Sequence, residues 1–225
     1  MVKEGVQLKT QKIPEATITR LSVYSRFLSV VEASGISSIS SGEIAEGTGG
    51  TPAQVRKDLA YFGDFGTRGV GYNVPSLNKA IKEILGVDKP WRMVLVGAGN
   101  LGSALAHYSG FRNRGFEIMA AFDNDIRKVE MTLSGLPILP IGDMAAYIAE
   151  HDIQIAIITV PGPAAQDIGD ELADTGISGI LNFSPTTLSM PDRVSVRNID
   201  LTVNLEVLSF IITNRDFLAG GDLAE

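Results

Sequence analysis

The stretch Met93-Val-Leu-Val-Gly97-Ala-Gly99-Asn-Leu-Gly102 constrains this 225-residue chain more than any other. A continuous apolar run enters G-x-G-x-x-G, and helix-forming sequence leaves it. Each glycine has a mechanical role. Gly97 permits the tight turn, Gly99 lets backbone N–H groups approach a pyrophosphate, and Gly102 lets the helix pack closely on the strand. The helix N-terminus adds partial positive charge for phosphates. A second strand, Phe116–Phe122, ends at Asp123, 21 residues beyond Gly102. A carboxylate there accepts hydrogen bonds from the adenosine ribose hydroxyls. It repels a 2′-phosphate, which favours NAD over NADP, although Arg127 and Lys128 nearby soften that argument. Residues Arg92 to Asp125 therefore read as a strand–helix–strand unit for a dinucleotide, NAD(H) in the first place.

The remainder of the second part continues the alternation. Predicted strands are Arg92–Val96, Phe116–Phe122, Ile153–Val160, Ile177–Phe183 and Val194–Ile199. Predicted helices lie near Leu101–Arg114, Asp143–Glu150 and Ala164–Asp174. Strands alternating with helices imply a parallel sheet covered on both faces, a Rossmann-type doubly wound α/β fold. Ligands in such sheets bind beyond the carboxyl ends of the strands. The predicted cofactor set is thus the loop Gly97, Ala98, Gly99, Asn100, Leu101 and Gly102, then Asp123 and Asn124. Two later turns, Thr159-Val160-Pro161 and Asn182-Phe183-Ser184, line the nicotinamide half.

Residues 15–85 have a different rhythm. A helix over Glu15–Ala33 carries Ile18, Leu21, Tyr24, Leu28 and Val31 at helical spacing. A short helix follows Ser40, with Glu43 completing a capping box. Gly47 to Gly50 reads as a tight turn. A third helix starts at Thr51, with Pro52 at its first position and Gln54 completing a second box. Gly63 ends it, a glycine-rich hairpin with Arg68 near its tip follows, and Ser76–Leu85 is amphipathic. That order is a winged helix-turn-helix, whose third helix reads DNA. Val55, Leu59 and Phe62 fall on its buried face. The DNA-facing set is Thr51, Ala53, Gln54, Arg56, Lys57 and Tyr61, with Arg68 on the wing; Gln suits adenine edges, and Arg or Lys suit guanine or phosphate. A helical bundle used only for dimerisation has the same spacing.

Charge is divided along the same line. Residues 1–75 carry eight Lys or Arg against seven Asp or Glu, whereas residues 76–225 carry eleven against nineteen. Only the first part suits an acidic polymer. The chain has no cysteine, which removes disulfides, thiolate nucleophiles and Cys-based metal sites. It has no long apolar run and no apolar leader, so it is expected to be cytoplasmic, without a membrane. A hydride-transfer enzyme needs a general acid or base near the nicotinamide. His107 and His151 fall on helices away from strand ends, there is no Tyr-x-x-x-Lys, and there is no metal-ligand cluster. The expectation is no enzyme. The competing readings are an NAD-dependent oxidoreductase with an accessory domain and a coenzyme A-binding domain; Asp123 argues against the second, since it repels a ribose phosphate.

Several strings resemble the Rex family of bacterial redox-sensing transcriptional repressors. They include Ile13-Pro-Glu-Ala-Thr, Gln54-Val-Arg-Lys-Asp-Leu-Ala-Tyr-Phe-Gly63, Arg68-Gly-Val-Gly-Tyr-Asn-Val74 and the glycine loop. Ala121-Phe-Asp123, Ile180-Leu-Asn-Phe-Ser-Pro185 and Asp200-Leu-Thr-Val complete a collinear match from about Lys12 to Phe217. The resemblance implies a homodimer on a palindromic double-stranded operator, released by NADH as effector with NAD+ competing. It implies domains at 1–85 (winged helix), 86–202 (Rossmann) and 203–225 (a C-terminal helix exchanged with the partner). It also implies a switch network of a first-helix arginine, Arg20 or Arg26, with Tyr108 and Asp200.

Overall fold

Leu21, Tyr24, Leu28 and Val31 recur at helical spacing, and a 19-residue helix, α1 (Glu15–Ala33), buries all four. Ile18, on the edge of that stripe, stays exposed. In this computed structural model, which describes residues 13–67 and 69–215, α1 opens the first of two units, residues 1–90 and 91–225.

The first unit continues with β1 (Ser38–Ile39), α2 (Ser41–Thr48), α3 (Pro52–Ala60), β2 (Gly66–Thr67), β3 (Gly71–Asn73) and α4 (Val74–Ile84). The Ser40–Glu43 capping box forms in full. The expected second box forms by half. Thr51 accepts from the Gln54 N–H, but the Gln54 side chain turns to Asp58 instead. Gly47 sits inside α2 rather than in a turn. A Cβ there would lie 2.2 Å from the Phe27 ring, so glycine is what lets α2 close on α1. Gly49, at φ +81°, ends the helix in the left-handed region that favours glycine. β2 and β3 form the hairpin wing, and β1 pairs antiparallel with β3 to make a three-stranded sheet. Arg68 lies outside the described residues. Val55, Leu59 and Phe62 of the third helical segment join Leu21, Leu28, Ile44 and Ile81 in one core.

The first unit runs through Pro90. Gly86 and Val87 donate to the Glu83 and Lys82 carbonyls, so this stretch closes α4 and packs with the first unit.

The second unit contains β4 (Trp91–Val96), α5 (Asn100–Ala106), α6 (Ser109–Arg112), β5 (Phe116–Asp123), β6 (Thr132–Leu133), β7 (Leu136–Pro140), α7 (Met144–Glu150), β8 (Ile155–Ile158), α8 (Gly162–Asp174), β9 (Gly179–Asn182), β10 (Ser195–Asn198) and α9 (Leu201–Thr213). The sheet order is β10-β9-β8-β4-β5-β7-β6, parallel except for the β6 edge hairpin. Its faces explain the unbroken apolar runs. Val94, Val96, Phe122, Ala156 and Ile158 pack on one side, whereas Met93, Leu95, Ala121 and Ile157 pack on the other. Neither face meets water, so alternation is lost.

Three features depart from the sequence reading. The helix expected over Leu101–Arg114 is two. Tyr108, extended at ψ 102°, separates α5 from α6, its ring lying over Gly110 and edge-on to Phe111. The β6–β7 hairpin occupies a region in which no strand is expected. The last helix among the described residues begins at Leu201, with Asp200 as its cap, and residues 216–225 of the expected exchanged segment lie outside the described residues. It is apolar nearly all round, yet Leu205, Phe210 and Ile212 are 65%, 55% and 60% exposed.

Candidate functional site

The strand order changes direction between β4 and β8. In register, Val96 lies beside Phe122 and Ile158, and Ile158 beside Asn182. The residues that follow, Gly97, Asp123, Thr159 and Phe183, therefore leave one edge of the sheet together. That is the crevice in which open α/β sheets hold ligands.

A cleft of about 720 Å³ opens there. Gly97, at φ +101°, makes the turn, and the Thr159 hydroxyl donates to its carbonyl at 2.8 Å. A Cβ on Gly102 would lie 2.0 Å from the Gly97 carbonyl oxygen, so helix α5 can start this close only with glycine. Gly99 has open space around it. This is a cradle that admits a phosphate-sized group against backbone, as a dinucleotide loop requires.

Asp123 is nearly buried at the end of β5. Its Oδ2 accepts from the Ala98 N–H at 2.8 Å and from Lys128 Nζ at 2.9 Å; its Oδ1 accepts from the Asp125 N–H at 2.8 Å. Burial pushes its carboxyl up, but the hydrogen bonds from Asp125, Lys128 and Ala98 outweigh burial and hold it below the usual carboxylate range. Asp123 thus does two things. It anchors the glycine loop, and, lining the cleft, it keeps further acceptor capacity on Oδ1, which among the described residues accepts only from the Asp125 N–H. Beside it, Arg127 grips Asp125 with two 2.9 Å bonds and brings that carboxyl down to about 2.

Of the expected cofactor residues, Gly97, Gly99, Asp123, Asn124, Thr159, Val160 and Pro161 line this cleft. Gly102 lies buried beneath the loop, while Asn100 and Leu101 begin α5. The second expected turn behaves differently. Asn182 is fully buried and spends its amide on Thr186, Asn198 and Ser184, so it holds the turn rather than facing the cleft. Phe183 packs with the sheet core, and Ser184 is buried with its hydroxyl unpartnered among the described residues. Sequence reasoning missed Ile141, Ile168, Asp167 and Glu171 in the lining. Asp167, Ile168 and Glu171 sit at i, i+1 and i+4 on α8, which a helical projection would have placed near one face.

The second candidate surface is α3. Thr51, Ala53, Arg56, Lys57 and Ala60 are exposed, while Val55 and Leu59 are buried. Arg56 donates from its guanidinium to the Ser41 hydroxyl at the start of α2, at 2.9 Å. Tyr61 is half-buried against the core, not free on the outer face. Asp58 was unanticipated: it is wholly buried, and Thr17, Arg20, Tyr24 and Gln54 all donate to it.

The four expected switch residues are placed as follows. Arg20 is bound to Asp58; Arg26, Tyr108 and Asp200 are exposed. Asp200 accepts from the Thr202 N–H at 2.8 Å. His107 accompanies the Ser103 carbonyl on α5, and His151 stacks on Tyr147; neither lines the cleft.

Comparison with known proteins adds to this geometry. Residues 12–60 match the family described as putative DNA-binding protein N-terminus, and residues 88–186 match the CoA binding domain. The chain is 55% identical over 203 residues to the redox-sensing transcriptional repressor Rex of Desulforamulus reducens, covering 90% of this chain and 97% of that protein. It is 56% identical over 205 residues to the protein of that name from Carboxydothermus hydrogenoformans, covering 91% and 99%. Among solved structures, RSP in complex with β-NAD+ and operator DNA superposes with a TM-score of 0.86, at 35% identity, over 96% of this chain and 100% of that chain. RSP in complex with β-NADH gives 0.81 at 34% identity, over 94% and 99%.

Proposed function

This chain belongs to the Rex family of redox-sensing transcriptional repressors, and on that premise we propose that it is a homodimeric repressor whose α3 reads a palindromic operator and whose β4–β8 cleft takes NADH as the releasing effector. The observation that carries this reading is the pairing, in one chain, of a winged helix with an exposed cationic α3 and a glycine cradle backed by Asp123. The chemistry is signalling rather than turnover. NADH and NAD+ differ by one hydride at the nicotinamide and share the adenosine half, so discrimination lies at the nicotinamide end.

Gly97, Gly99 and the α5 N-terminus hold the pyrophosphate, and Asp123 accepts from the adenosine ribose. Val160 and Pro161 are the apolar edge for the nicotinamide half. Arg20 is committed to Asp58, which leaves exposed Arg26 as the first-helix arginine for Asp200 in the switch. A charge pair made in one state of a dimer and broken in the other is a bistable element. The partner subunit covers the apolar α9. No helix among the described residues is long and apolar enough to cross a membrane, and a repressor of this kind works in the cytoplasm.

The test is an electrophoretic mobility shift on a palindromic promoter fragment, with NADH or NAD+ added. Binding that NADH abolishes and NAD+ spares supports the reading; binding indifferent to NADH sinks it. Coupling is reciprocal, so operator DNA weakens NADH binding by the same factor.

A further inference from the structure

The corner of the cleft where β5 ends holds more than a ribose-binding carboxylate. Lys128 also lines the cleft, about one-third exposed, and its ammonium lies 2.9 Å from Asp123 Oδ2. The neighbouring pair, Arg127 and Asp125, neutralises itself through its two-pronged contact. Asp123 and Lys128 are therefore the charges left to set the sign of this corner.

We infer that Lys128 is a second determinant of cofactor choice: a receptor for a ribose 2′-phosphate, masked by its ion pair with Asp123. The inference deepens the dinucleotide reading and rests on it. With the pair intact, a 2′-phosphate meets a carboxylate whose charge Lys128 offsets only in part. Away from that corner, Asp167 and Glu171 on α8 line the same cleft and make its wall acidic. Remove the carboxylate charge and the same ammonium, with three donors, becomes an uncompensated cation beside the adenosine ribose. A phosphate then gains a charge-assisted hydrogen bond where it had met repulsion. Lys128 has a further duty in the native pair. It offsets part of the Asp123 charge, so removing Lys128 alone sharpens the rejection of phosphate.

Isothermal titration of full-length protein with NADH and with NADPH tests this, using wild type, Asp123→Asn, Lys128→Ala and the double variant. Asp123→Asn keeps a side-chain acceptor for the Ala98 or Asp125 N–H while removing the charge. Asp123→Ser serves as a second version, and a thermal melt checks that each variant is folded. The ratio of NADPH to NADH affinity is expected to rise about tenfold or more in Asp123→Asn, the size of one charge-assisted hydrogen bond. It is expected to fall below wild type in Lys128→Ala, and the double variant should lose most of the gain. A double variant that keeps the gain overturns the role of Lys128, because relief of Asp123 repulsion then explains everything. No gain in folded Asp123→Asn or Asp123→Ser overturns it as well. Wild type that binds no NADH overturns the dinucleotide reading itself, and this inference falls with it.

Discussion

Arg20 of α1 holds Asp58 of α3 through two bonds, Nε to Oδ2 at 2.7 Å and Nη2 to Oδ1 at 2.8 Å. Tyr24 donates to the same carboxylate at 2.9 Å, Gln54 at 2.9 Å and Thr17 at 3.1 Å. A buried charge without these partners is costly, and breaking one partner exposes that cost. Asp58→Ala leaves three neutral donors unpaired beside a guanidinium that solvent still reaches and is expected to destabilise the first unit by about 3 kcal/mol. Tyr24→Phe removes one of five bonds to the carboxylate and costs about 1.5 kcal/mol. Urea unfolding followed by circular dichroism measures both, and equal costs for the two substitutions would refute the network.

The same carboxylate makes a pH prediction. Burial pushes the Asp58 carboxyl up, but donation from Arg20, Tyr24 and Gln54 outweighs burial and lowers it. A carboxyl depressed in the folded state stabilises above its unfolded pKa, and that stabilisation is lost as pH falls through the folded value. The stability advantage of wild type over Asp58→Asn should be full from pH 7 to 5 and shrink below about pH 4. Denaturation midpoints for the two proteins across that range check this. A constant difference down to pH 3 would contradict it.

Asp58 also marks where sequence reading stops. An aspartate on a helix reads as a solvated residue, and periodicity gives no hint of its burial. A signal exists in α1, where Thr17, Arg20 and Tyr24 fall at i, i+3 and i+7, a polar row beside Leu21 and Leu28. By contrast, the bounds of α1 and the turn of the glycine loop are legible. Their signals are local: apolar periodicity in one case, and glycines whose Cβ would strike backbone in the other. β6 and β7 escape the reading because Pro137 and Pro140 flank a short apolar pair and mimic loop sequence. The break before α6 comes from the Tyr108 ring over Gly110, a contact with no sequence period. Asn182 reads as a ligand residue because it follows an apolar strand, but nothing in the sequence shows that Asn198 sits beside it.

Gly102→Ala should uncouple the chain from NADH. The added Cβ would meet the Gly97 carbonyl oxygen at 2.0 Å and the Thr159 hydroxyl at 3.0 Å, and the first of these is backbone. Either the glycine loop or α5 must move, at a cost of about 1–3 kcal/mol. NADH affinity, read by the fluorescence of the reduced nicotinamide, is expected to fall at least about tenfold. Operator binding in the absence of NADH should persist, because the substitution lies in the second unit. Wild-type NADH affinity in this variant would show that the loop is not the pyrophosphate site.

Lys57→Ala tests the reading surface. Lys57 is exposed in the last turn of α3, whereas its neighbour Arg56 is pinned to Ser41. If Lys57 meets phosphate, the substitution weakens operator and unrelated DNA alike. The slope of log affinity against log salt then drops by about 1 per site contacted. If it meets a base edge, affinity falls by about 1–3 kcal/mol for the operator, and discrimination relaxes at one base pair per half-site. Fluorescence anisotropy with operator and scrambled duplexes at several salt concentrations separates the two. Unchanged operator affinity would remove α3 from the interface.

The apolar α9 yields the last prediction. Leu205, Val207, Phe210 and Ile212 are each at least half exposed, and a helix apolar all round belongs in a buried setting. Full burial of one such side chain contributes about 1.5–3 kcal/mol. One sheet cannot cover every side of such a helix. Leu205→Lys combined with Phe210→Asp places two charges where the second subunit should pack. Sedimentation velocity is expected to show a dimer for wild type and a monomer for this variant. Operator affinity should fall with it, because a palindrome needs two recognition helices on one assembly. Circular dichroism of the variant should keep its folded signal, since α9 makes its apolar surface available rather than supporting its own core. A variant that stays dimeric would place the subunit interface elsewhere.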